Sequence, residues 1–132
     1  MVFCFLKVLA QELATTIPRG GILQDDGSFI TPGGTSISNH GAKGNGKEYT
    51  DGKGWLPEEI DHIISDPTAT ATQKGRHGLK GKTIEVVFDE EGHWAKVDED
   101  GNVIQVSDRN VDANDDNNDP GEIEDFEVKE EE

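Results

Sequence analysis

TIEVVFDEEGHWAKVDEDGNVIQV, residues 83–106, decides the fold. Ile84, Val86 and Phe88 recur at every second position, the period of a half-buried strand, with Val87 turned to the other face. Asp89-Glu90-Glu91-Gly92 turns the chain into His93-Trp94-Ala95-Lys96-Val97, and Asp98-Glu99-Asp100-Gly101 turns it again into Val103-Ile104-Gln105-Val106. A glycine closing each short acidic turn fits a tight hairpin, so the segment predicts a three-stranded antiparallel meander.

Upstream of the meander, Pro57 suits a first helical turn, and Glu58 and Glu59 suit its positive end. Ile60, Ile63 and Ile64 then recur at i, i+3 and i+4 as one apolar face, until Asp66-Pro67 stops the helix. The expected class is therefore α+β: a helix packed on a small antiparallel β-sheet, a meander, with room for a fourth strand in the lead-in region.

That lead-in, residues 17–54, is rich in Gly, Ser, Thr and Asn, with turn signals at Gly20-Gly21, Pro32-Gly33-Gly34 and Gly44-Asn45-Gly46. It reads as a linker. Residues 1–14 place apolar groups at helical spacing, as a packing or leader helix. Lys7 interrupts the apolar run and no basic residue precedes it, which argues against an export signal. The expected division is leader and linker over 1–50, one domain over 51–110 and a tail over 111–132.

The formal net charge of the 132 residues is -16, where nucleic-acid binders normally carry a basic footprint. The charge is uneven. Residues 111–132 hold eleven acids against Lys129 alone, a net -10, which leaves -6 for the rest. This tail has almost no apolar periodicity and is expected to be disordered. Residues 67–82, by contrast, contain Lys74, Arg76, Lys80 and Lys82 and no acid. Steering of a phosphate-rich ligand depends on the local field, so RNA is not excluded by total charge. Cys4 is the only cysteine, so neither an intrachain disulfide nor a cysteine-based zinc site is available. No apolar run approaches the ~18 residues that read as a membrane span.

Residues 41–47, GAKGNGK, have the spacing of a phosphate-binding loop, but Glu48 replaces the hydroxyl residue that would contact magnesium, and no buried strand precedes it. Residues 112–119 alternate oxygen-bearing side chains like a calcium loop, but Asn117 and Ile123 stand where glycine and a bidentate glutamate belong. His40, His62, His77 and His93 have no paired metal-ligand spacing; His62 reads as a surface residue, while His77 and His93 could approach one substrate. No metal and no cofactor are therefore expected. The loop of residues 74–82 is the strongest candidate for substrate contact, its glycines allowing close approach of backbone to phosphate and its cations supplying charge.

Taken together, GWLPEEID at 54–61, Asp66-Pro67-Thr68, the glycine-rich basic loop, GHWAKV at 92–97 and GNVIQVSDRN at 101–110 resemble the colicin E-five-like ribonuclease domain. The resemblance covers roughly residues 52–110. It implies a bacterial toxin module that cuts tRNA in the anticodon loop, on a barnase- and RelE-like fold of helices packed on an antiparallel sheet. It further implies metal-independent transesterification to a 2',3'-cyclic phosphate, relying on basic residues. Lys74, Arg76, Lys80, Lys82 and His77 become the catalytic candidates, and Gln105, Ser107, Asp108 and Arg109 the RNA-binding ones. The implied partners are tRNA and a cognate immunity protein, with neither DNA nor a membrane expected, and the implied place of action is the cytoplasm of a target cell. The chain departs from the family in having no cation between Thr68 and Gln73 and in ending on the acidic tail. A rival expectation follows: a non-catalytic acidic interaction protein built on a degenerate nuclease scaffold.

Overall fold

The computed structural model describes residues 21–41, 44–75 and 81–129. It is α+β, as expected, but its sheet is larger and of mixed direction. Strands β1 (Ile22–Leu23), β2 (Phe29–Ile30) and β3 (Ser36–Ile37) precede helices α1 (Gly46–Gly52) and α2 (Pro57–Ser65). Strands β4 (Ala69–Lys74), β5 (Thr83–Phe88), β6 (Trp94–Val97), β7 (Val103–Val106) and β8 (Glu124–Val128) follow. They form one sheet in the order β1-β2-β3-β7-β6-β5-β4-β8, antiparallel throughout except where β3 runs parallel to β7 with Ile37 opposite Val103.

The predicted meander is its centre. Asp89 and His93 close the first hairpin and Asp98 and Asn102 the second, each through a backbone bond, at 2.9 and 3.0 Å. Gly92 and Gly101 adopt the positive φ of 94° and 87° that such turns require. Helix α2 also starts and stops where expected: Pro57 opens it, Glu59 Oε1 accepts the Leu56 N–H at 2.8 Å, and Asp66 follows its last residue. Ile60 and Ile63 are buried, and half-buried Ile64 packs beside them.

Three expectations need correction. The sheet is not a small meander, because ATATQK at 69–74 pairs along the whole of β5 as β4. Its alanines are too small to announce a core face, and Thr70 and Thr72 supply the β-branched alternation instead. The described part of the lead-in is not loose linker: Phe29 and Ile37 are 2% and 0% exposed in the main core. Asp61 of α2 ties it down, accepting hydrogen bonds from the Thr31 and Thr35 hydroxyls and from the Gly33 N–H. Within it lies a second helix, and Glu48, which spoiled the phosphate-loop reading, closes a capping box there: its N–H donates to Asn45 Oδ1 at 2.9 Å and its carboxylate accepts the Asn45 N–H at 3.2 Å.

The third correction concerns the tail. From Val111 to Lys129 it is placed against the domain, with a 3-10 turn at Asp116–Asn118 and strand β8 along the free edge of β4. Acidic composition predicts solvation, not the absence of pairing, and a bare edge of β4 supplies the unpaired backbone groups that a further strand can use.

The sheet therefore has two covered faces. On one, α1, α2 and the link between them pack Tyr49, Trp55, Ile60 and Ile63 against Val87, Ala95, Val97, Val103 and Val106. On the other, Ala71, Val86 and Trp94 form a smaller cluster with Phe88 and with Ile123 of the tail. Among the described residues, no helix is long and apolar enough to cross a membrane.

Two outcomes follow from this packing. Ile60→Ala should lower the unfolding free energy in urea by about 3 kcal/mol, within the range for a fully buried aliphatic, whereas Leu23→Ala, at a site 56% exposed, should change it by less than about 0.5 kcal/mol. Lys129 pairs with Asp66 beyond the end of β8, and its N–H donates to Thr68 O at 2.8 Å. The lysine's hydrogen bond and charge hold the Asp66 carboxyl below its ordinary pKa. A depressed carboxylate supports the fold above its unfolded pKa and loses that support as pH falls through the lower folded value. The protection factor of the Lys129 amide should therefore fall only in acid, and Asp66→Asn should lower it already at neutral pH.

Candidate functional site

The two most specific sequence blocks, 54–61 and 101–110, close on each other. The Trp55 indole N–H donates to Ser107 O at 2.7 Å, and the Arg109 guanidinium lies 4.7 Å from the centre of the Trp55 ring. Arg109 also reaches Asp89 at 2.7 Å, Glu91 at 3.1 Å and Glu59 at 3.2 Å. Its N–H donates to Lys53 O at 2.7 Å, so backbone and side chain are both committed. Gly54 has φ 82°, and a Cβ there would come within 2.7 Å of Asn110 Oδ1, so the approach of the blocks requires glycine.

Burial alone would lower the Arg109 pKa; the hydrogen bond to Asp89 and the fields of Glu59, Asp89 and Glu91 outweigh it and raise the pKa. An open cleft of about 210 Å³ adjoins this group, lined among others by Glu58, Glu59, His62, Asp89, Glu91 and Arg109. Carboxylates outnumber cations there, so the cleft repels phosphate. Among the described residues, no group of three or more His, Cys, Asp or Glu is placed to hold a metal ion.

The RNA-binding candidates are thus largely structural. Arg109 belongs to the carboxylate network. Ser107 is 2% exposed, its hydroxyl accepting the Trp94 N–H at 3.0 Å and standing 3.0 Å from His93 Nδ1. Asp108 is held by Asn118, which accepts its N–H at 2.8 Å and donates to its carbonyl at 2.9 Å. Only Gln105 is exposed, on β7 opposite Lys96. His93 is buried, its ring 3.0 Å from the Ser107 hydroxyl and its backbone N–H donated to Asp89 Oδ1, whereas His77 lies outside the described residues.

Of the catalytic candidates, Arg76, His77 and Lys80 lie outside the described residues. Lys74 and Lys82 are exposed at the root of the β4–β5 hairpin, where the Gly75 N–H donates to Lys82 O at 2.8 Å. The Lys82 ammonium is 3.8 Å from Glu99. These two lysines are brought to one end of the sheet.

Sequence reasoning missed a second group, on the face turned away from the helices. Ala71, Val86, Lys96 and Gln105 form one row across four strands, and Gln73 lies one side-chain position nearer the hairpin. Lys96 sits 5.1 Å from the centre of the Trp94 ring, and its Nζ donates to Pro120 O at 2.7 Å. Gln73 Nε2 donates to the same carbonyl, and the Trp94 indole N–H to Asn118 O. The signal was present: Lys96 falls between Ala95 and Val97, and strand alternation turns it to the face opposite those two core residues.

Replacing Arg109 by Met should cost about 2–4 kcal/mol of stability in urea unfolding, because it strands partly buried carboxylates. Arg109→Lys should recover only part of that, since one ammonium cannot span three partners and stack on Trp55. No family model, no curated protein and no solved structure matches the chain, so the assignment of its function rests on these residues.

Proposed function

We propose that this chain is a toxin-type endoribonuclease that cleaves tRNA in the anticodon loop by metal-independent transesterification. The observation that carries the proposal is the closure of the blocks at 54–61 and 101–110 through Trp55, Ser107 and Arg109. Blocks forty residues apart that resemble one family are here parts of one structural unit, as a shared scaffold demands. The hairpin root with Lys74 and Lys82 adds exposed cations on the connection that carries the remaining basic candidates.

In the proposed reaction a ribose 2'-oxygen bonds to the adjacent phosphorus while the bond from phosphorus to the 5'-oxygen breaks. The 2'-hydroxyl proton leaves to a base and the 5'-oxygen gains one, giving a 2',3'-cyclic phosphate and a 5'-hydroxyl end. Charge builds on the phosphoryl oxygens in the transition state, and cations from residues 74–82 are suited to stabilise it. An immunity protein that neutralises these cations is the matching partner.

A second reading is favoured by a separate observation: Ser107, Asp108 and Arg109 are spent on internal contacts. On that reading the protein is a non-catalytic acidic interaction domain. Incubation with total tRNA at low salt, in the presence of EDTA, separates the two. Cyclic-phosphate ends should appear, and Arg76→Ala combined with Lys80→Ala should reduce cleavage by at least about a hundredfold, the scale of lost charge stabilisation, without lowering the melting temperature. Intact tRNA would favour the interaction domain, and cleavage surviving in the double variant would move the chemistry elsewhere.

A further inference from the structure

We propose that Gln73, Trp94 and Lys96 form a binding site for an RNA phosphodiester on the helix-distal face, and that residues 112–128 are a strap occupying it in cis. The inference rests on the RNA reading for its ligand class and adds a site and a control that the reading does not contain.

Three side-chain N–H donors on this face converge on two backbone carbonyls of the tail. Lys96 Nζ and Gln73 Nε2 both point at Pro120 O, at 2.7 and 2.5 Å, and the Trp94 indole points at Asn118 O at 2.5 Å. An ammonium and an amide sharing one oxygen suit an anionic phosphoryl oxygen better than a neutral carbonyl, because charge-assisted bonds are the stronger ones. Beside them lie the Trp94 ring, 3% exposed while the tail covers it, and the exposed Gln105 amide in the same row as Lys96. Stacking surface next to a cation and amides is the usual equipment for a single strand.

The strap is built to exclude that ligand and to leave. Residues 112–128 contain eight carboxylates, which repel phosphate from the face they cover. Its hold is slight. Ile123 is only half-buried, all of β8 is exposed, and Phe126 and Val128, which follow β4 along this face, are 53% and 60% exposed. The pairing of β8 with β4 slips between Thr70 and Thr72, and nearby Asp125 takes a positive φ of 52°, strained for a residue other than glycine. An exposed, irregular ladder marks residues 123–128 as the part of the strap that opens at low cost while the rest stays folded.

The experiment keeps the full chain and loosens the strap by Ile123→Asp with Phe126→Ser. A second form, Phe126→Ser with Val128→Ser, changes only exposed residues and carries the test should the first melt early. The probe is a fluorescein-labelled single-stranded RNA oligonucleotide at low ionic strength, read by anisotropy. The loosened forms should bind at least about tenfold more tightly than the parent, since apparent affinity scales with the open fraction. Lys96→Ala in the loosened background should abolish the gain, and Lys96→Arg should keep it. Unchanged affinity on loosening, or a gain that survives Lys96→Ala, overturns the site. Lys96-dependent binding with tRNA left intact sustains the site and sinks the nuclease reading. Cleavage of tRNA without any Lys96-dependent gain does the reverse.

Discussion

Arg109 and Trp55 hold the molecule together. The guanidinium lies on the indole and reaches carboxylates from α2 and from the β5–β6 turn, while the indole N–H closes on the end of β7. A planar cation with a fan of donors can serve a ring and three carboxylates at once, which an ammonium cannot. The contact fixes the helix on the sheet, and with it the direction in which each strand's alternate side chains point.

Once the helices own one face of the sheet, the other face has to be managed. It carries Trp94 and Phe88 beside Lys96, Gln73 and Gln105, too apolar to stand in water and too polar to be a core. The acidic segment resolves this by laying Ile123 on the apolar part and its carbonyls on the donors. A tail that composition marks as solvated thus becomes the cover of the face best equipped for a ligand. The net charge of -16 then describes the covered protein, and the sheet beneath is less acidic than the whole.

The same division separates motif from chemistry. Ser107, Asp108 and Arg109 stand out in the sequence because the scaffold needs them, and Arg109 would be a poor RNA ligand among three carboxylates. Lys96, unremarked between two core residues, faces the other way.

The sequence by itself determined the helix over 57–65 and the two hairpins over 83–106, because proline, isoleucine spacing and glycine-closed turns are local signals that need no partner. It also marked Trp55 and Arg109, though not what they do. Only the tertiary structure decided the rest. β4 is a strand because β5 offers it a ladder, the short strands of the lead-in are ordered because Asp61 and the core hold them, and the tail is placed because β4 has a free edge. Those segments are too short, small or acidic to bury enough surface alone to offset the entropy of ordering, so their structure exists only where another element completes it.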